Sequence, residues 1–235
     1  MKRLAAILAI LAATSTGLVS AADPVAIGCT LSNPAEDLKY LFPEITSYRE
    51  DAKDLGRMKD GQALYKKLQD RLGSDLDPVY EAFDTPYTVY RVFKGDEPIG
   101  VVHGVNVPGK GGVIQVFLTT DPKTAEIRTL FFQRLESAAA AELRAKAFRA
   151  QFQGLTLADF YKHDYYAVAE PASDKDKLAA IKDPTTDPAA KPDYQSTLRG
   201  IRKNLILLDI FVYDLRAEPF YERAREALKK LEKKN

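Results

Sequence analysis

The fold is decided by residues 113–154, VIQVFLTTDPKTAEIRTLFFQRLESAAAAELRAKAFRAQFQG. The first part of this stretch alternates with a period of two, which is the period of a β-strand. The two sides of that strand carry Ile114, Val116 and Leu118 on one side and Gln115, Phe117 and Thr119 on the other. A turn follows at 121–124, and residues 127–135 predict a second strand that pairs with the first as a hairpin.

From Ala138 the spacing of the apolar residues changes to that of a helix. Four side chains fall on one face of this helix: Ala141, Ala145, Phe148 and Phe152. Gly154 predicts its end, because glycine readily adopts the backbone conformation found just beyond a helix. Residues 113–154 thus predict two strands followed by one helix.

Two more extended segments precede this unit. Residues 87–93, YTVYRVF, are rich in β-branched and aromatic side chains, and residues 99–107 form the next segment after a turn at 94–97. Four consecutive strands with short connections predict an antiparallel β-meander. Together with the flanking helices they predict an α+β fold with helices packed on one face of the sheet.

The N-terminal part of the chain predicts two short amphipathic helices. Residues 33–36, Asn-Pro-Ala-Glu, combine a capping side chain, a proline in the first turn and an acid three residues after the cap, and Pro43 ends this helix. Residues 51–60 are polar and charged. Residues 64–72 carry leucine at every fourth position and predict a second helix that ends at Gly73.

The C-terminal part predicts one more strand and two helices. Residues 155–171 contain several aromatic side chains and predict a strand that ends at Pro171. Residues 172–193 are rich in charges and proline, and they predict an exposed connection with one short helix around Leu178 and Ile181.

Two apolar patterns mark the last helices. The first consists of Leu198, Ile201, Leu205 and Leu208, and it predicts a core helix whose cap is Asp193, Gln195 or Ser196. The second consists of Phe220, Ala224, Leu228 and Leu231, which lie on one face of a helix that begins near Pro219. The basic last turns of this second helix favour its dipole.

The first 22 residues are typical of a cleaved signal peptide. A basic start is followed by an apolar run and by the small residues 20–22, Ser-Ala-Ala. Residues 14–17 interrupt the apolar run well short of the roughly 20 residues that span a bilayer, which weighs against the alternative of an uncleaved anchor. We therefore predict a periplasmic or otherwise extracytoplasmic protein.

Length, composition and charge fit one exported domain. The chain has 235 residues, of which 46% are hydrophobic, and this is enough for a sizeable core. Loss of Lys2 and Arg3 reduces 34 basic residues to 32 against 33 acidic ones, a formal charge of −1, which gives no support to nucleic-acid binding. We divide the chain into a signal peptide at 1–22, a helical segment at 23–86, a sheet domain at 87–210 and a helical tail at 211–235.

The single cysteine limits the redox chemistry that the chain can perform alone. One cysteine cannot form an internal disulfide, a CxxC pair or a CxxCH haem attachment, so redox chemistry requires a bound cofactor. Residues 26–29 are similar to a lipoprotein box, in which Cys29 would be lipidated. The alternative, a free thiol, is favoured because Asp23 and Pro24 separate this segment from the apolar run.

Four short motifs follow one another in the sheet domain: Gly109-Lys110-Gly111-Gly112 with Ile114, Asp121-Pro122, Ile127, and Gln151-Phe152-Gln153-Gly154. In their order they resemble the FMN-binding domain family, found in extracytoplasmic subunits of bacterial Rnf and Na⁺-pumping NADH:quinone reductase complexes and in NosR. That family wraps its flavin with Glu-Thr-Pro-Gly-Leu-Gly after the second strand. Here Glu136-Ser137 keeps an acid and a hydroxyl, and alanines replace the proline and the glycines.

The resemblance also implies where the cofactor is held. In the family a core helix opens with Ser-Gly-Ala-Thr, and a flavin transferase links FMN to the threonine through a phosphoester. Residues 194–197, Tyr-Gln-Ser-Thr, occupy this place, so the resemblance implies that Thr197 is the candidate attachment site; the alternative is a threonine that only packs a core helix. The cofactor-binding residues that it implies are Thr197, Ser196, Glu136, Ser137, Gly109, Gly111 and Gly112, and Arg199 is added to them as a cation near the helix start.

Physical chemistry agrees with a phosphate at this position. A helix N-terminus offers unpaired N–H groups and the positive end of a dipole, and three cations follow within the next two turns: Arg199, Arg202 and Lys203.

Other kinds of site find little support in the sequence. The only histidines, His103 and His163, have no second ligand at metal-binding spacing, so no zinc site is predicted. Asp174 and Asp176 are predicted to be solvated surface residues. A hydrolase would need a nucleophile beside a base, and no such pattern occurs.

The resemblance implies one of two functions. The first is an extracytoplasmic FMN-binding electron-transfer protein or subunit, with membrane or periplasmic redox proteins and a flavin transferase as possible partners. The second is a degenerate, flavin-free family member that acts as a partner-binding or sensing module.

Overall fold

The computed structural model describes residues 29–78, 80–169 and 175–233, so the predicted signal peptide lies outside the described residues. The described chain is α+β. Its sheet has five strands in the order β1-β2-β3-β4-β5, and every neighbouring pair is antiparallel. The strands are β1 (Ser47–Lys53), β2 (Tyr87–Lys94), β3 (Glu97–Pro108), β4 (Val113–Thr120) and β5 (Ile127–Arg134).

Seven α-helices surround this sheet in the described residues. They are α1 (Pro34–Leu41), α2 (Gly61–Leu72), α3 (Ala140–Arg144), α4 (Lys146–Ala150), α5 (Leu157–Ala169), α6 (Lys191–Phe211) and α7 (Glu218–Glu232). Short 3₁₀ turns lie at Gly73–Asp75, Leu178–Ala180 and Pro188–Ala190.

The predicted meander is confirmed, and one further strand extends it. β1 falls in the segment that was predicted to be helical, where Ala52 is the only aliphatic residue of the strand. It forms the edge of the sheet, and the Asp51 carboxylate accepts from Arg91 Nε at 2.6 Å across the strand pair. Charged edge strands hinder pairing with other chains, and they also lack the apolar alternation by which strands are recognised in sequence.

Helices cover both faces of the sheet, whereas the sequence predicted helices on one face. α6 covers the face that carries Val116, and it approaches so closely that a Cβ on Gly200 would lie 2.6 Å from Val116 Cγ1. α1 covers the opposite face, where Leu38 and Phe42 belong to one buried cluster with Phe117. The sequence analysis placed Phe117 on the side of β4 opposite Val116 but predicted no helix to cover that side.

The predicted helix from Ala138 to Phe152 is two short helices. Ala145 has an extended backbone (φ −59°, ψ 140°) and separates α3 from α4. Phe148 and Phe152 are buried as predicted, whereas Ala141 and Ala145 are exposed. The break lets Leu143 reach the core as well.

The strand predicted for residues 155–171 is wrong, because residues 157–169 form helix α5 and Pro171 lies outside the described residues. Thr156 and Asp159 start this helix: the Asp159 carboxylate accepts from both the backbone N–H and the hydroxyl of Thr156, at 2.9 Å each. This arrangement resembles a capping box, and it outweighs the strand propensity of the tyrosines that follow.

The core helix α6 begins earlier than predicted. It starts at Lys191, with Pro192 in its first turn, so Asp193, Gln195 and Ser196 lie inside the helix and do not cap it. The preceding 3₁₀ turn is capped instead by Asp187, whose carboxylate accepts from Ala189 N at 2.8 Å.

His103 is a buried histidine at the interface between the sheet and α6. Its Nδ1 lies 2.7 Å from Asn204 Oδ1, and the Asn204 amide nitrogen donates to Val116 O at 2.9 Å. Because the amide group is oriented by that second bond, Nδ1 carries the proton and donates. Burial lowers the pKa of His103 to about 4.

We expect the burial of His103 to make the protein less stable in acid. The pKa is about 4 in the folded protein against 6.5 ordinarily, so the unfolded state takes up the proton first as the pH falls. The contribution of neutral His103 to stability should be complete above pH 6.5. Below that pH the free energy of unfolding should fall by up to about 3 kcal/mol towards pH 4. Urea titrations of the wild type and His103→Gln between pH 7 and 4 measure the free energy of unfolding at each pH. This free energy should fall more steeply in the wild type, and an equal fall in both proteins would contradict the prediction.

Candidate functional site

A cleft of about 450 Å³ lies where three separate segments of the chain meet. It is bounded by the turn between β3 and β4, by the corner after β5 and by the start of α6. Its lining residues are Lys110, Gly111, Glu136, Ser137, Ala138, Ala189 and Asp193. We call it the Glu136 cleft.

The turn between β3 and β4 depends on glycine. Gly109 N donates to Gly112 O at 2.8 Å, which closes the turn. Gly112 has φ 141°, a region that L-residues rarely adopt, and a Cβ on Gly111 would lie 2.3 Å from Glu136 O. Only a chain without side chains at these positions can lie against the Glu136 corner.

The start of α6 is joined to this turn by Asp193. Its carboxylate accepts from Lys110 N at 2.7 Å, and the residue is almost completely buried. The Lys110 side chain reaches towards the 3₁₀ turn that precedes α6, with Nζ 3.5 Å from Ala189 O. The ammonium group of Lys110 therefore lies near the start of α6.

The Glu136 corner supplies one charged and one hydroxyl side chain. Glu136 Oε1 accepts from Arg134 at 3.0 Å from Nε and 2.9 Å from a terminal nitrogen, and this pair is half exposed. The Ser137 hydroxyl accepts from Ala139 N at 3.2 Å and so shapes the turn into α3. Of the charged side chains that line the cleft, Lys110 is the cation.

The structure does not bring Thr197 or Ser196 into the lining of the cleft. Thr197 is fully buried in the second turn of α6, and its hydroxyl donates to Asp193 O at 2.8 Å. Ser196 is also buried. The early start of α6 causes this, because it moves both residues from the helix terminus into the packed helix.

The three predicted cations also lie elsewhere. Arg199 pairs with Asp75 at 2.8 Å and Arg202 with Asp164 at 2.6 Å, while Lys203 is buried against Glu81. None of them lines the Glu136 cleft. These three residues were predicted because they follow Thr197 closely along the chain. The rotation of α6 places their side chains away from the Glu136 cleft.

The sequence predicted the glycines as site residues but did not predict that Lys110, Ala189 and Asp193 line the site. Lys110 stood within the glycine motif, and a basic residue between glycines is a signal for an anion site. Asp193 was considered only as a helix cap. Its contact with Lys110 joins positions 83 residues apart, so no local pattern reveals it.

No protein-family model matches this chain, and no curated protein gives a significant match. In the described part of the chain, no helix is both long and apolar enough to cross a membrane.

Proposed function

We propose that this protein is an extracytoplasmic electron carrier, or a subunit of one, that binds FMN non-covalently in the Glu136 cleft. The observation that carries the proposal is the convergence of the glycine turn, the Glu136 corner and the start of α6 on one cleft. The resemblance of these segments to the FMN-binding domain family motivates the choice of ligand. On this proposal the sheet and α6 form a flavin-binding fold like that of the FMN-binding domain family.

The cleft is suited to such a ligand in size and chemistry. Its volume of about 450 Å³ falls within the range of small-molecule sites. The wall at Gly111 would let a planar ring approach the backbone, and the Lys110 ammonium beside the α6 terminus would attract a phosphate. The Glu136 carboxylate would accept a hydrogen bond from a ring N–H.

The attachment site implied by the resemblance does not fit this structure. A phosphoester at Thr197 would require its hydroxyl to be accessible, and this hydroxyl is buried and already bonded to Asp193 O. The proposal is therefore restricted to reversible binding, and it needs no flavin transferase as a partner.

Bound FMN would supply the electron transfer, since the side chains that line the cleft have no redox chemistry of their own. The protein would contribute the position of the phosphate through Lys110 and the contact with the ring through Gly111 and Glu136. Membrane or periplasmic redox proteins would then exchange electrons with the carrier.

We expect Lys110→Ala to weaken FMN binding at least about tenfold, or about 1.4 kcal/mol, because it removes a charge-assisted contact to phosphate. Quenching of flavin fluorescence during titration measures the Kd. Lys66→Ala, at an exposed lysine on α2, is the matched control and should bind as the wild type does. Riboflavin lacks the phosphate and should bind both variants equally; a Lys110→Ala protein with unchanged FMN affinity would contradict the site.

The second candidate function is a flavin-free module that binds a partner or senses a ligand. Its supporting observation is the acidic character of the cleft, where the carboxylates of Glu136 and Asp193 lie with Lys110. Failure of the wild type to bind FMN in the same titration would favour this candidate.

A further inference from the structure

A second, smaller pocket lies between α5, α6 and the 3₁₀ turn at 178–180. Its volume is about 220 Å³, and its floor is apolar. Six side chains form this floor: Phe152, Phe160, Leu178, Ile181, Tyr194 and Leu198. We call it the Arg199 pocket after one of the two arginines on its rim.

Two guanidinium groups, those of Arg199 and Arg202, lie on the rim of the pocket, and each is paired with a carboxylate. The lining residues also include Asp75, the carboxylate partner of Arg199. Arg199 contacts Asp75 through Nε at 2.8 Å, and Nε is only one of the nitrogens that a guanidinium offers as donors. Arg202 is held in place by two bonds to Asp164, at 3.1 and 2.6 Å.

A buried carboxylate orders the remaining side of the pocket. Asp176 was predicted to be a solvated surface residue, and the structure shows that it is buried. One oxygen accepts from Leu178 N and Ala179 N at 3.1 and 3.2 Å, and the other lies 2.8 Å from His163 Nδ1. The 3₁₀ turn and the imidazole are thereby held together at the pocket.

The contact with Asp176 assigns a role to each ring nitrogen of His163. An imidazole that donates from Nδ1 keeps Nε2 for a further hydrogen bond, and His163 lines the pocket. The pocket thus combines a pre-formed apolar floor with fixed polar groups on its rim, the arrangement typical of small-molecule sites.

We propose that the Arg199 pocket binds a small aromatic carboxylate, whose ring rests on the apolar floor and whose carboxylate meets the guanidinium of Arg199. The size of the pocket favours one or two rings, because a cavity of about 150 Å³ already holds benzene and the pocket has about 220 Å³. The terminal nitrogens of the Arg199 guanidinium, which the Nε bond to Asp75 leaves available to donate, favour an acid over an amine or a neutral ring. This site is separate from the Glu136 cleft and does not depend on flavin binding.

The test uses 2-naphthoate as the probe and the neutral 2-naphthalenemethanol as its isostere. Isothermal titration or ligand fluorescence should show saturable, one-to-one binding of the acid to the wild type. The alcohol should bind at least tenfold more weakly. Arg199→Gln should reduce the affinity for the acid at least tenfold and leave the affinity for the alcohol unchanged.

Arg128→Gln is the matched control, because Arg128 has the same side-chain exposure as Arg199 (42%) and also pairs with one partly buried aspartate. It should bind 2-naphthoate as the wild type does. Ile181→Glu, which places a charge on the floor, should abolish binding of both compounds, and thermal unfolding confirms that each variant is folded. The proposal is overturned if the wild type does not bind the acid, if acid and alcohol bind equally, or if Arg199→Gln binds like Arg128→Gln.

Discussion

Replacement of Arg71 by methionine should lower the free energy of unfolding by about 3–5 kcal/mol. Arg71 lies on α2, and its guanidinium bonds to Asp209 on α6 at 2.6 Å and to Glu218 at the start of α7. The side chains of Arg71 and Asp209 are 1% and 5% exposed. Methionine fills a similar volume, so the loss comes from the buried carboxylate of Asp209, which is left without its cation.

Urea denaturation at pH 7 measures this effect, and Lys67→Met is its matched control. Lys67 lies on the same helix and pairs with the same Glu218, but the two side chains are 40% and 29% exposed. Exposed pairs contribute about 0–1 kcal/mol, so the control should lose no more than that. Equal losses in the two variants would show that burial of the Arg71 pair does not determine its contribution.

Replacement of Lys203 by methionine should also cost about 3–5 kcal/mol. Lys203 Nζ lies 2.9 Å from Glu81 Oε2, and the side chains of the two residues are 1% and 3% exposed. Burial raises the pKa of Glu81, and the Lys203 ammonium opposes that rise. Without Lys203, Glu81 must either remain charged in the core or take up a proton.

The double variant Lys203→Met/Glu81→Gln separates the charge from the packing. Glutamine keeps an oxygen that can accept from Asp77 N, as Glu81 does at 2.8 Å, and it carries no charge. The double variant should therefore be more stable than Lys203→Met at pH 7 in the same denaturation experiment. If the glutamine gives no recovery, the loss arises from packing and not from an unpaired charge.

The strands of the sheet could be predicted where one face is apolar. β4 showed a clear period of two, and its pairing with β5 was correctly inferred. β1 could not be found in this way because its side chains are mostly charged and exposed. α5 was misassigned although Thr156 and Asp159 carry a capping signal, because the aromatic residues that follow were given more weight.

The sequence predicted which segments meet at the candidate site, but it did not predict the full set of side chains that line it. The glycine turn precedes β4 and the Glu136 corner follows β5, so the antiparallel pairing brings them together at the open end of the β4–β5 hairpin. The face of α6 was harder to predict. A helix turns about 100° per residue, so an error of a few residues in its predicted start changes the direction in which Thr197 and Arg199 are expected to point. In the structure neither residue lines the cleft.

Titration of FMN into the purified protein tests the central claim most directly. We expect saturable quenching of flavin fluorescence at one FMN per chain, with all of the flavin released when the protein is denatured. Absence of saturable binding would contradict a flavin site in the Glu136 cleft, and flavin that stays attached after denaturation would contradict its non-covalent character.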